Sequence, residues 1–314
     1  MKHFGTTQRG RDVDQLTLTA HGLTVSLLTL GAIVQGVWLD GIEQSLTVGS
    51  DDLTDYEGDM LYHGAIVGPV ANRIGGGKAV IDGIEHQLER NQDGRHTLHG
   101  GTRGPHTRIW TVKDHSDNSA TLALSLPDGD CGLPGNRVIT AHYAITEGPA
   151  LSLSITTQTD TETWANLTNH SYWCLDGSGH MANHTLQITA DTVLPIDADS
   201  LPTGDILPVE DTAFDFRRPR ALILGETRYD NTYPVAQTRR ALTPVLKLAT
   251  DSVAMTVSTT EPGAHIYDDG PAFAALAIEC QGWPNAPAHA HFPSITVMPD
   301  TPLTQTTEWR FARI

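Results

Sequence analysis

The sequence is poor in cysteine, in cations and in long apolar runs, and each shortage narrows what the chain can be. Its three cysteines, Cys131, Cys174 and Cys280, form no CxxC pair and are odd in number. That argues against a disulfide framework and makes a reducing compartment the easier home. Lys and Arg together number 20 against 37 Asp and Glu, a formal net charge of −17. A field of that sign repels phosphate backbones and anionic lipid, so nucleic acid and membrane surfaces are poor candidate partners. It argues weakly against a strongly anionic substrate and leaves neutral small molecules open. The longest apolar stretch, Leu23 to Trp38, is interrupted by Ser26, Thr29, Gly31, Gln35 and Gly36, too short and too polar to span a bilayer. Met1-Lys2-His3-Phe4-Gly5-Thr6 runs into polar residues with no apolar signal core. A cytoplasmic protein is expected. Helical periodicity is missing too, with no convincing window anywhere in the chain.

What remains is an ordinary globular composition. Hydrophobic residues make up 39% and charged residues 18%, with a mean hydropathy of −0.23, which excludes disorder for the bulk of the chain. Two-residue alternation dominates. Leu16, Leu18 and Ala20 share one face, and Leu23, Val25 and Leu27 repeat the pattern after a His21-Gly22 turn. The same pattern recurs in Leu122-Leu124-Leu126, Leu151-Leu153-Ile155, Leu186-Ile188-Ala190 and Val253-Met255-Val257. Each run is short, Thr-rich and bounded by turn formers, and Asp82-Gly83 is a strong hairpin signal. Asp128–Gly135 and Asp197–Pro208 read as loops between strands. Many short, evenly spaced strands mean a sandwich or barrel. The 314 residues exceed the usual domain length, but all-β sandwiches often do, and no linker, charge block or repeat divides the chain. The expectation is one all-β domain spanning residues 1–314.

Several common sites are absent. Gly77-Lys78 lacks the remainder of a phosphate loop, no GxGxxG opens a helix, and there is no GxSxG elbow. His96 with His99, and His289 with His291, have spacings that could converge on a metal. Neither pair has a nearby acidic or Cys partner, so surface or hydrogen-bonded histidines are the better reading and no metal is expected.

Two stretches carry more information. In Ala275–Gln281, read as a strand, Leu276, Ile278 and Cys280 face one side while Ala275, Ala277, Glu279 and Gln281 face the other. A carboxylate inside an apolar strand is costly unless it is paired, bonded or protonated. Small alanines beside Glu279 would leave room for a ligand; an edge-strand glutamate facing water is the alternative. In Trp164–Trp173, period two brings Asn166, Thr168, His170 and Tyr172 onto one polar face. His170 is then either a core histidine satisfied by amides or a proton donor suited to transfer near neutral pH. A Glu and a His without nucleophile or metal suit proton shuttling.

These residues carry a resemblance. Gly68–Ile74, Leu98–Gly101, Asn166–Tyr172 and Leu276–Gln281 resemble segments of the aldose 1-epimerase (galactose mutarotase) family. So do Phe214–Arg217, Tyr229–Asn231, Pro262-Gly263 and Phe292–Ser294, all in family order from about residue 20 to Phe311. The resemblance implies a large antiparallel β-supersandwich and cofactor-free interconversion of the anomers of a free aldose such as galactose or glucose. It implies Glu279 as general base and His170 as general acid, with Asn72, Arg73, His99 and Asp230 binding sugar hydroxyls. Three positions depart from the family. Pro69 stands where arginine is frequent, Pro105 where an aromatic residue is usual, and His265 where a sugar-touching glutamine is frequent. His265 therefore bears on sugar identity. The preferred aldose and the oligomeric state are left open. A sugar-binding module without turnover and a glycoside hydrolase are the alternatives, the latter requiring a second carboxylate for which Asp230 is the available residue.

Overall fold

The computed structural model of the chain describes residues 1–223, 225, 227–268 and 275–314. Strand pairing follows the alternation read from the sequence. Along Arg137–Thr146 every odd residue is buried, and the even ones are exposed or half-exposed. Leu122, Leu151, Leu153, Leu186, Ile188, Val253, Met255 and Val257 are likewise inside. The pairings between strands are antiparallel, and the largest sheet has nine strands. At its centre Leu303–Arg313 lies between Ala150–Thr159 and Val253–Thr259. Hydroxyls pair across neighbouring strands, as in Ser154 with Thr306 and Thr156 with Thr304, each 3.0 Å apart.

The turns obey local chemistry. Asp82 and Gly83 both have positive φ, 49° and 73°, and close a hairpin in which Ile81 faces Ile84. Two positive φ values match the right-handed strand twist, so Asp-Gly is well suited there. His21-Gly22 does the same between Asp12–Ala20 and Leu23–Leu28 in an N-terminal four-stranded sheet. Helix is nearly absent among the described residues. One four-residue α-helix, Leu53–Tyr56, begins at Asp52, whose side chain accepts from the Thr54 N–H. No helix among the described residues is long and apolar enough to cross a membrane.

A second four-stranded sheet orders Tyr172–Trp173, Leu276–Gln281, Gly263–Asp268 and Asp230–Pro234. Its Leu276, Ile278, Cys280, Ala264 and Ile266 join one apolar core with residues of the nine-stranded and N-terminal sheets. Its opposite face carries the polar side chains described below. Leu276–Gln281 is flanked on both sides and Glu279 is 1% exposed, so the edge-strand reading of Glu279 is wrong.

Trp164–Trp173 also differs from expectation. It is not one strand but three two-residue pieces, Thr163–Trp164, Thr168–Asn169 and Tyr172–Trp173, each paired to a different segment. Asparagine amides cause the breaks by taking backbone groups that a continuous ladder would use. Asn169 donates to Gly64 O (2.7 Å) and accepts from Ser171 N (3.1 Å). Asn166 accepts from Gly282 N (2.6 Å) and donates to Gly282 O (3.2 Å), tying this segment to the strand that ends at Gln281. Removing that clamp leaves two buried backbone groups unpaired, each costing about 1–3 kcal/mol. Asn166→Ala should therefore lose about 2–6 kcal/mol of stability, read from the urea midpoint at unchanged m-value; a loss below about 0.5 kcal/mol would contradict the clamp.

Candidate active site

Antiparallel register decides which side chains meet. Thr232 stands opposite His265, and His265 stands opposite Glu279, so three adjacent strands present one row on the polar face. Asp230 lies two residues before Thr232 and shares its face. Opposite this sheet, His170 is fixed by its own backbone, with N donating to Ala65 O (2.9 Å) and O accepting from Gly64 N (3.0 Å). Asn72 and His99 complete the wall from a pair of short strands, Arg73–Ile74 and Thr97–Leu98. Both are left-handed, with φ of 60° and 51°. They brace each other: Asn72 N donates to His99 Nδ1, and His99 N to Asn72 O, each at 3.1 Å. The next residue must be glycine, because a Cβ on Gly100 would stand 2.0 Å from Gly68 O.

Asn72, Arg73, His99, His170, Asp230, His265 and Glu279 all line one cavity of about 370 Å³. Asn166 and Thr168, expected on the same face as His170, do not line it. Tyr62, His63 and Tyr267 line it without having been singled out. Tyr267 could have been found, since it follows His265 by two on one strand. Tyr62 and His63 lie where no periodicity points inward. Tyr62 packs at 4.9 Å from the rings of both His99 and His106, and at 5.9 Å from that of His170.

The polar groups are unevenly satisfied. Asp230 is bracketed by His265 Nε2 at 3.2 Å and Arg73 Nη2 at 3.6 Å. Burial opposes its charge, but the bond and charge of His265, with Arg73 and Ser200, outweigh that and hold its carboxyl below the usual range. Asn72 Oδ1 accepts from Arg73 N (2.8 Å), and Arg73 Nε donates to Gln92 (2.9 Å). By contrast, His170 Nε2 and Glu279 Oε1 lie 3.5 Å apart, beyond a normal hydrogen bond. His170 Nδ1 and Glu279 Oε2 are buried without a hydrogen-bond partner among the described residues. A native structure seldom leaves such groups unpaired unless a ligand or chemistry uses them.

His99 is held neutral by burial, reinforced by neighbouring His170 and His106. Its Nδ1 accepts from a backbone N–H, so its proton sits on Nε2, which is left as a donor toward the cavity. This bears on metal binding. His99, His170 and Glu279 bring ligand atoms within 4.8 Å of one another, as do Cys174, Asp176 and His184. A metal needs the lone pair on the ring nitrogen, and His99 Nε2 has none in this tautomer. His184 Nε2 has a lone pair but spends it on Leu175 N–H at 2.8 Å. The other histidine pairs are engaged elsewhere. His96 Nδ1 accepts from Gly76 N and its Nε2 faces Asp199, while His289 and His291 donate to the carbonyls of Pro202 and Gly204.

An antiparallel β-sandwich thus carries a polar cavity in which a buried imidazole and a buried carboxylate stand 3.5 Å apart. The chain belongs to the aldose 1-epimerase family, whose model matches residues 14–310. The galactose mutarotase of Sus scrofa is 31% identical over 96% of this chain and 94% of its own length. The aldose 1-epimerase of Escherichia coli K12 is 29% identical, covering 92% of each. Among solved structures, the GalM/aldose epimerase homologue from C. elegans superposes with a TM-score of 0.89 at 29% identity, covering 96% of this chain and 99% of its own.

The buried histidines make an acid liability. Burial, with the charge of His170 adding to it, lowers His63 and His106 to about 3, and His99 falls well below 6.5. Above pH 6.5 both folded and unfolded chains hold these rings neutral. Below it the unfolded chain takes up protons that the folded chain refuses, so stability falls as pH drops from about 6.5 toward 3. His63→Phe, which keeps an aromatic ring against Tyr172, should flatten the stability–pH slope between about pH 4.5 and 6.5. The reduction should reach about 1.4 kcal/mol per pH unit, measured by urea unfolding across that range; an unchanged slope would count against a neutral His63.

Proposed function

We propose that the chain interconverts the α and β anomers of a free aldose, with Glu279 as general base and His170 as general acid. The observation that carries this is the His170–Glu279 pair, facing one cavity with a polar atom of each left unbonded. In this mechanism Glu279 takes the proton from the C1 hydroxyl while His170 gives one to the ring oxygen. The C1–O5 bond breaks, leaving an aldehyde at C1 and a hydroxyl on C5. Rotation about C1–C2 presents the other carbonyl face, and the same two groups reverse their transfers to reclose the ring. No net proton or electron is exchanged, and no cofactor is called for. Each positioned acid or base contributes about 10²–10⁴-fold, which suits a reaction that already proceeds in water.

The remaining polar groups read the substrate. Neutral His99 offers Nε2–H, Asn72 offers its amide, Arg73 and Asp230 form a charged bracket, and His265 stands between Asp230 and Glu279. A glycoside hydrolase is disfavoured because its acid must be a carboxyl with a raised pKa. Asp230, the available second carboxylate, is shifted the other way. The unpaired thiols of Cys131, Cys174 and Cys280 and the −17 charge are in keeping with a cytoplasmic enzyme acting on a neutral sugar.

Polarimetry on freshly dissolved α-galactose, α-glucose, xylose, arabinose and maltose tests the reading. Glu279→Gln and His170→Asn should each remove most of the catalysis with the fold intact, and the double variant should lose little more than either single one. Near-normal mutarotation by either purified variant would sink the assignment. Prolonged dialysis against a strong chelator should leave the wild-type rate unchanged, because no step calls on a metal. Loss of activity that zinc specifically restores would overturn that.

A further inference from the structure

His265 occupies the middle of the three-strand row, and what holds it there is a hydroxyl. Thr232 Oγ1 lies 2.9 Å from His265 Nδ1, and both residues are buried. The other ring nitrogen, Nε2, is 3.2 Å from Asp230 Oδ1 and 3.9 Å from Glu279 Oε1. Two carboxylates on one side of a ring demand a proton there, since a lone pair facing an ionised carboxylate is repelled. Asn72 Nδ2 also approaches Nε2, at 3.4 Å, but Asn72 Oδ1 is committed to Arg73 N, so this contact is amide donor against imidazole donor and does not compete with Asp230.

We propose that Thr232 is a positioning residue: its hydroxyl holds His265 with Nε2–H directed at Asp230 and the Glu279 carboxylate, in either protonation state of the ring. A hydroxyl is suited to this because it both donates and accepts. Toward neutral His265 it donates to the Nδ1 lone pair; toward the imidazolium it accepts from Nδ1–H. The groups facing His265 are Asp230 and Glu279 from the flanking strands, Arg73 behind Asp230, and His99 and His170 across the cavity. The Thr232–His265 pair thus keeps a ring N–H directed between Asp230 and Glu279. The inference rests on the anomer-interconverting reading for its catalytic consequence, but not for the placement of the ring.

The test uses Thr232→Val, Thr232→Ala and Thr232→Ser in the full chain. Nitrogen-15 NMR of the histidine rings should show Nε2–H on neutral His265 in wild type. In Thr232→Val the Nδ1 lone pair loses its hydroxyl donor, so the two ring-nitrogen shifts of His265 should move toward a mixture of tautomers; Thr232→Ser should restore them. With an aldose as substrate, kcat/KM should drop roughly 5- to 150-fold in Thr232→Val and recover in Thr232→Ser. Thr232→Ala stands in if the valine variant does not fold. A His265 that keeps its wild-type tautomer and ring-nitrogen shifts in the variants lacking the hydroxyl would overturn the proposal, whatever the rate does. So would unchanged kcat/KM in an active wild-type background. If wild type itself shows no mutarotation, the functional reading fails, while the ring-nitrogen shifts still decide the role of Thr232.

Discussion

Everything around the cavity depends on keeping a carboxylate inside a sheet. Glu279 is 1% exposed on a strand flanked on both sides, where an isolated charge would cost several kcal/mol. The surroundings respond with imidazoles rather than with lysine or arginine. His170 stands at 3.5 Å and His265 at 3.9 Å from the same oxygen. An arginine at that distance would hold the carboxylate permanently ionised and weaken it as a base. Imidazoles can be neutral or charged as a reaction demands. Arg73, the one arginine among the described residues of the wall, is directed to Asp230 instead.

Backbone amides set the polarity of the site as firmly as side chains do. The N–H of Asn72 fixes the tautomer of His99, and the N–H of Leu175 occupies His184. Each donation turns a potential metal ligand into something else: a proton donor in the first case, a structural acceptor in the second.

Much of this was legible in the sequence, and the rest fails for identifiable reasons. Alternating Leu, Ile and Val marked the strands that build the large sheets, because one face of each is buried. The faces of Ala275–Gln281 were assigned correctly on the same ground, with Leu276, Ile278 and Cys280 in the core. What alternation cannot carry is register, so neither the opposition of His265 to Glu279 nor that of Thr232 to His265 was visible. Nor can it reveal an asparagine that diverts a strand, which is why Trp164–Trp173 was read as continuous. His96 and Asp199 meet from 103 residues apart, and Tyr62 and His63 sit on turns without any pattern. The motifs quoted for the family resemblance brought in His99, Asn72, Arg73 and Asp230, which physical reading alone would have left as turn and surface residues.

The left-handed backbone at Asn72 and His99 has an evolutionary consequence. An L-residue in that conformation costs on the order of 1 kcal/mol, less for asparagine, and glycine would relieve it. Glycine at either position would also delete the side chain that the cavity requires: the amide beside His265, or the imidazole donor. A demand for a less strained backbone and a demand for these two side chains therefore pull in opposite directions. A lineage under no demand on these two side chains would be free to let both drift to glycine.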